Sequence, residues 1–248
     1  MDLRHKRALV TGGAAGIGAA IARRLAAEGA RVLIADVDAE TGRATAAGLG
    51  AGFVAADLAR EAGVRAVMAA ARERLGGLDV LVNNAGGVEG PNYPEAPPSR
   101  WMATLALNLH AVMLATQLAL DLMRERGGAV VMVGSSAGLG SSAHDAPEYA
   151  VAKAGVVRLT GCLAPLAERA GIRVNCVCPH LVDTPASRRS RARLGPDERA
   201  RLPPALPAAE VADAVVALLR DEALAGRVLV CRSGRPRRLL PVVDWHEA

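Results

Sequence analysis

Residues 7–29 read RALVTGGAAGIGAAIARRLAAEG, and this stretch sets the fold class. RALVT at 7–11 is a short apolar strand candidate that runs straight into Gly12-Gly13-Ala14-Ala15-Gly16-Ile17-Gly18. An amphipathic helix, AAIARRLAAEG, follows and is stopped by Gly29. Strand, glycine turn and helix are the context a phosphate-binding turn requires. Glycine lets the backbone turn tightly and approach a pyrophosphate, and the helix start offers free N–H groups and a positive dipole end. A second strand, RVLIAD at 31–36, ends in Asp36, about 20 residues beyond the glycines, where a carboxylate accepts hydrogen bonds from adenosine ribose hydroxyls. The same carboxylate would repel a 2′-phosphate, and neither Ala14 nor Ala15 supplies a compensating arginine. The expected cofactor is therefore NAD rather than NADP.

The alternation continues down the chain. A helix is expected at 39–49, a strand at 52–56 ending in Asp57-Leu58, a helix at 61–75, and a strand at 78–82 opening into Asn83-Asn84-Ala85-Gly86. Later come helices at 100–126, 147–168 and 207–222 and strands at 172–178 and 227–231. Helix, strand and short turn in repetition imply a parallel sheet with helices on both faces. At 248 residues the expectation is one α/β domain over residues 1–248, doubly wound, with about seven strands.

The stretch 134–153, GSSAGLGSSAHDAPEYAVAK, is a small-residue loop running into a helix. Tyr149 and Lys153 are four residues apart, so on a helix they stand one turn apart on the same face. A nearby ammonium favours a phenolate and is expected to draw the tyrosine toward the working range of pH. A hydroxyl from Ser136 would hold a substrate oxygen beside the phenol. Such a site moves a proton onto or off an alcohol oxygen. The chain has two tyrosines, Tyr93 and Tyr149, and only Lys6 and Lys153 among its 30 Lys+Arg. A chain that uses arginine for nearly every cation keeps at residue 153 a compact ammonium whose acidity adjusts readily. Asn108 lies in WMATLALNLHAVMLATQLALDLM (101–123), an otherwise apolar helix, where a buried amide needs a partner or a water.

TGGAAGIG at 11–18, Asp57, NNAG at 83–86, Asn108, Ser136, YAVAK at 149–153 and the later Asn175, Pro179 and Thr184 form one ordered set. In order and spacing, including the step from Ser136 to Tyr149, residues 7 to about 184 resemble the short-chain dehydrogenase/reductase family. The resemblance implies a Rossmann-type fold and reversible, NAD-dependent oxidation of a secondary alcohol to a ketone. It implies that Gly12, Gly16 and Gly18 shape the turn under the pyrophosphate, Asp36 holds the ribose and Asp57 the adenine amino group. Asn83, with Asn84, Ala85 and Gly86, would support the cofactor and the central strand. Ser136 would position the substrate oxygen, Tyr149 would be the acid/base, and Lys153 would bind the nicotinamide ribose and lower the tyrosine pKa. Asn108 would anchor a water linking Lys153 to solvent, and Thr184 would bond the carboxamide or a phosphate. Ala15, Ile17, Leu58, Pro179 and Val182 complete the implied cofactor contacts. Helices 100–126 and 147–168 are apolar on more than one face, and in the family they form a four-helix contact; a homo-oligomer, a tetramer, is expected.

Two departures stand out. His180 follows Pro179 where the family carries glycine, placing an imidazole near the expected nicotinamide and substrate, with His144 a second candidate on the opposite lip. The ending CRSGRPRRLLPVVDWHEA at 231–248 replaces a V-D-G-G segment, and Trp245 in it would dock on a neighbouring subunit or close the pocket. Residues 185–207 lie where the family keeps a mobile substrate lid. Its arginines, Arg188, Arg189, Arg191, Arg193, Arg199 and Arg201, either greet an anionic substrate such as a carboxylate or CoA ester, or form a solvated face; the second is the better reading.

Composition limits the rest. Hydrophobic content is 51% but aromatics are 2%, so the core must be Ala, Val and Leu. Net charge is +5, yet the arginines are scattered and almost no aromatic surface exists for base stacking, which argues against nucleic acid. No run is expected to reach the ~20 apolar residues that span a bilayer, and a cytoplasmic location is expected. Cys162, Cys176, Cys178 and Cys231 have no zinc spacing, so no metal and no disulfide is indicated; Cys176 and Cys178 would share one strand face. Two alternatives stand beside the dehydrogenase: a 3-oxoacyl-thioester reductase using NADPH, and a catalytically idle protein that senses NAD or scaffolds partners.

Overall fold

A strand buried on both faces must be apolar along its whole length, and RALVT, VLVN and GAVVMV are such runs. The computed structural model describes residues 1–88, 90–140 and 143–242; Trp245 and its neighbours at 243–248 lie outside the described residues. The elements run β1 (Arg7–Thr11), α1 (Gly16–Ala27), β2 (Arg31–Asp36), α2 (Ala39–Leu49), β3 (Gly52–Ala55), α3 (Glu61–Leu75), β4 (Val80–Asn83) and α4 (Pro98–Leu105). A π-helical turn (Ala106–His110) joins α4 to α5 (Ala111–Met123), followed by β5 (Gly128–Val133), α6 (Pro147–Cys162), α7 (Leu166–Ala170) and β6 (Ile172–Pro179). Then come β7 (Val182–Asp183), α8 (Pro185–Ala192), α9 (Pro196–Arg201), β8 (Leu206–Pro207), α10 (Ala208–Arg220), β9 (Val228–Cys231) and β10 (Arg238–Leu239).

The main sheet has the order β10-β9-β6-β5-β4-β1-β2-β3. Seven strands are parallel, as expected; the eighth, β10, pairs antiparallel with β9 at the edge. Because side chains alternate, Val10, Ile34 and Val82 pack toward α1 and α10, while Leu9, Leu33 and Leu81 pack toward α3 and α5. At the amino-terminal edge, Arg7 forks onto Asp79 through Nε and Nη2, both at 2.8 Å. Burial pushes the Asp79 carboxyl up, but the Arg7 hydrogen bonds and charge outweigh it and hold the group below the usual carboxylate range.

Three local features differ from the sequence expectations. The helix expected at 147–168 stops at Cys162 and resumes at Leu166, because Pro165 cannot continue the hydrogen-bond ladder. The helix expected at 100–126 starts at Pro98, whose fixed φ suits a first helical position, and carries the π turn in its middle. By length and composition Pro98–Met123 is also long enough to cross a bilayer, against the expectation that no run is. Here its small buried positions Ala115 and Ala119 lie in the layer that α3 and α5 form on the sheet.

Candidate active site

The carboxyl ends of the parallel strands open into a crevice of about 670 Å³, the place where open α/β sheets bind ligands. One end is made of backbone. Gly12 has φ +63, and a Cβ there would stand 2.7 Å from Ala85 Cα, so only glycine lets β1 and β4 approach this closely. Asn84 fastens the turn, its Nδ2 donating to the Thr11 and Gly12 carbonyls at 2.9 Å each. Thr11 Oγ1 accepts from the Asn84 and Ala85 N–H groups. Asn83 faces away from the crevice and donates to Thr116 Oγ1. Helix α1 then starts at Ala15 with no side-chain cap and no acid in its first turn. Its first N–H groups are left for an anion, and the turn fits a diphosphate. Gly18 does not line the crevice; it packs α1 on the turn, where a Cβ would overlap the Gly12 carbonyl.

Three carboxylates, Asp36, Asp38 and Asp57, line the same end. Asp36 is fixed at the rim: its Oδ2 accepts from the Ala14 N–H at 2.9 Å and its Oδ1 from the Asp38 N–H at 3.1 Å. Asp38 caps α2 through Thr41, and Asp57 meets the exposed Arg60 at 3.2 Å. Ala15, Gly16, Ile17, Leu58, Ala85 and Gly86 also line the crevice.

The other end is made of side chains. Tyr149 and Lys153 project from the first turns of α6 into the crevice, with the ammonium 5.6 Å from the phenol ring centroid. Lys153 Nζ donates to the carbonyl of Val133, the last residue of β5, at 2.9 Å. Burial pushes the ammonium down to about 8, with the neighbouring Cys176 and Cys178 acting in the opposite sense. The expected lowering of the tyrosine is not what the site does. Burial dominates and raises the Tyr149 phenol, and only the Ser135 hydroxyl pulls it down. The physical reason is partial burial of the phenol in the crevice wall, while the Lys153 ammonium donates to Val133.

The Ser135 hydroxyl reaches the Tyr149 phenol. Ser135 is still extended, with φ −161, and lines the crevice; Ser136 begins a 3-10 turn, Ser136–Gly138, that carries it off the wall. The spacing to Tyr149 that favoured Ser136 is a loop length, and a loop absorbs one extra residue without moving its ends. Asn108 also falls outside the crevice wall. The π turn places its amide, fully buried, against Gly87: Oδ1 accepts from the Gly87 N–H at 3.0 Å, while Nδ2 donates to the Gly87 and Thr104 carbonyls at 2.7 and 2.9 Å. Both amide hydrogens are taken, so Asn108 holds the Gly86–Gly87 segment beside Lys153.

Pro179, Val182 and Thr184 line the wall where β6 ends, and His180 joins them. Burial, then the charge of Arg232, push the His180 imidazole down, which keeps it neutral at physiological pH. His144 does not line the crevice; its ring centroid lies 6.0 Å from that of Tyr149, and its Nδ1 accepts from the Ala146 N–H. Cys176 and Cys178 do share one face of β6, with sulfurs 3.7 Å apart, packed behind the Ser135 strand end. The lid leaves and rejoins the body at a small ladder in which β7 pairs with β8. Thr184 caps α8 reciprocally with Ser187. Of the six lid arginines only Arg189 lines the crevice; Arg188 is tied to Asp183 at 2.7 and 2.8 Å.

Known proteins agree with this geometry. The family model described as short chain dehydrogenase matches residues 6–195. The chain is 38% identical over 189 residues to D-beta-hydroxybutyrate dehydrogenase of Cupriavidus necator, covering 74% of this chain and 73% of that protein. It is 38% identical over 191 residues to (2S)-[(R)-hydroxy(phenyl)methyl]succinyl-CoA dehydrogenase subunit BbsD of Thauera aromatica, covering 75% and 76%. The fold matches a variant of actinorhodin polyketide ketoreductase solved with NADPH at a TM-score of 0.84 and 34% identity, covering 92% of this chain and 95% of that one.

Proposed function

The chain belongs to the short chain dehydrogenase family, and from that premise we propose that this crevice interconverts a secondary alcohol and a ketone with NAD as the hydride carrier. The observation that carries the reading is that Tyr149 and Lys153, one turn apart, face the same crevice as the glycine turn. Residues 1–248 act as one dinucleotide-binding domain with 185–207 as its lid. Gly12, Ala15, Gly16 and Ile17 receive the pyrophosphate, Asp36 the adenosine ribose, and Asp57 and Leu58 the adenine. Asn84, Ala85 and Gly86 support the middle of the cofactor, and Pro179, Val182 and Thr184 border the nicotinamide. That ring, when bound, supplies the hydride chemistry.

The protein supplies placement and a proton. Ser135 holds the substrate oxygen beside Tyr149. The phenol, kept protonated by burial, gives its proton to that oxygen when a ketone is reduced and takes it back when the alcohol is oxidised. Lys153 meets the nicotinamide ribose. Asn108 works as a positioning residue through Gly86 and Gly87. Because the neutral phenol is the favoured form, alcohol oxidation is expected to gain as pH rises through the alkaline range. Tyr149→Phe should lower kcat at least ~10²-fold while NADH titration by fluorescence gives an affinity within about twofold of wild type. Retained turnover would refute the assignment.

A second reading, a 3-oxoacyl-thioester reductase using NADPH, is favoured by the likeness to a polyketide ketoreductase solved with NADPH. Asp36 speaks against it, since a 2′-phosphate on the ribose it receives would meet its carboxylate. Turnover with NADH against NADPH decides between the two. Met102, Met113 and Val151 stand exposed on α4, α5 and α6, which supports a homotetramer packed through those helices. With Pro98–Met123 laid on the sheet, we place the enzyme in the cytoplasm, apart from membranes and nucleic acid.

A further inference from the structure

Helix α8, the first helix of the lid, has its root on the glycine turn. A Cβ at Gly16 would stand 3.2 Å from Thr184 Cγ2 and 4.0 Å from Pro185 Cδ, the residues that cap and open α8. Arg189 follows Pro185 by four residues, so the two share one face of the helix, one turn apart. Side chains on a helix lean toward its amino end. Arg189 therefore leans back along α8 toward Pro185 and the Gly16 turn, and it lines the crevice together with Pro185, Ala15, Gly16 and Ile17.

The guanidinium placed there is uncommitted. Thr184 and Ser187 satisfy each other at the start of α8, and Arg188 forks onto Asp183. Among the described residues Arg189 pairs with no carboxylate. Lys153, the other cation that lines the crevice, donates to Val133 at the end of β5. Against the root of α8 lies the start of α1, which has no side-chain cap and no acid in its first turn. An anion seated on those N–H groups has backbone dipoles on one side only, and they leave the net charge of a diphosphate uncompensated.

The geometry points to Arg189 as a ligand of the cofactor diphosphate, reaching it from the lid while the start of α1 holds it from the body. This rests on the dehydrogenase reading and adds to it the side chain that neutralises the carrier. A guanidinium presents a planar fork that matches two phosphate oxygens, with charge assisting each hydrogen bond. The other lid arginines stay the solvated face that composition suggests, and the anion that Arg189 meets is the carrier rather than the substrate.

The test uses the full chain and calorimetric titration with NADH and with ADP-ribose, which carries the diphosphate without the nicotinamide. In about 0.05 M salt Arg189→Ala is expected to weaken both ligands roughly tenfold, and Arg189→Lys to recover part of the loss. In about 1 M salt, where charges are screened beyond ~3 Å, the gap between wild type and Arg189→Ala is expected to shrink to about twofold. Arg193→Ala, on the same lid but off the crevice, is expected to bind both ligands as wild type does. Wild-type affinity in Arg189→Ala at low salt overturns the assignment and leaves the dehydrogenase reading intact. A loss that is the same at both salt concentrations, or that Arg189→Lys does nothing to relieve, marks a packing role and overturns it equally. Failure of wild type to bind NADH, NADPH or ADP-ribose overturns the dehydrogenase reading itself, and this assignment with it.

Discussion

Strands β1 and β4 end in backbone, with Gly12, Asn84 and Ala85 shaping a turn whose N–H groups do the binding. Strands β5 and β6 end in side chains, Ser135 and His180, that line the crevice. The first construction is specified by two short runs, 11–18 and 83–86, and an added Cβ at Gly12 or Gly18 would overlap neighbouring backbone. The second is specified by register between segments far apart in sequence, and a single inserted residue changes which side chain faces the ligand. One end of the crevice therefore fixes what kind of carrier binds, and the other is free to choose what it acts upon.

The sharpest way to break this contrast is at the two serines. Ser135→Ala should lower kcat ~10²-fold or more, as loss of one aligned donor does elsewhere, while Ser136→Ala should stay within about threefold. Steady-state kinetics on the pair checks it, and the reverse ranking would return the site to the serine that spacing favours. A smaller effect is expected at the acidic end. Asp36→Asn should raise the ratio of NADPH to NADH turnover about tenfold, by removing a charge from the 2′ position; an unmoved ratio would mean that the carboxylates do not select the cofactor.

The third prediction concerns the buried ammonium that joins the two ends. The folded chain releases the Lys153 proton near 8, whereas an unfolded chain holds it to ~10.4. Between those values the unfolded state binds more protons, so stability rises with pH, by up to ~1.4 kcal/mol per pH unit; below both values the burial penalty is constant. Urea denaturation of wild type and Lys153→Met at pH 7.5 and 9.5 should show wild type gaining on the variant. A gap that does not narrow would remove Lys153 from its dry site. The smallest effect belongs to the lid. The Arg188–Asp183 pair is solvent-exposed, so Arg188→Ala should leave the urea midpoint nearly unchanged and kcat/KM within about threefold. A larger loss would make the lid as exacting as the glycine turn.

What could be read from the chain follows the same division. The glycine turn, Asp36 and the Tyr149–Lys153 pair are local patterns, where backbone geometry and helical period fix the result within one or two turns. The count from Ser136 to Tyr149 runs through a loop, so spacing does not fix which hydroxyl faces the phenol; Ser135 is the one that lines the crevice. The raised Tyr149 pKa was missed because burial, unlike spacing, is a property of the whole wall. The π turn at Asn108 has no signature in an apolar run. Strand β10 lies in a stretch dense with Arg and Pro, where the short antiparallel pairing with β9 leaves no alternation to see.

The ladder of β7 and β8 has one more consequence. Leu206 donates to the Leu181 carbonyl at 2.8 Å, and Val182 and Asp183 register with Leu206 and Pro207, so the lid is stitched shut at its root. Whatever lies between 190 and 205, beyond the residues that line the crevice, is a cassette whose length costs only slowly growing closure entropy. A breeder of new enzymes could exchange that cassette, and the engine beneath would go on turning.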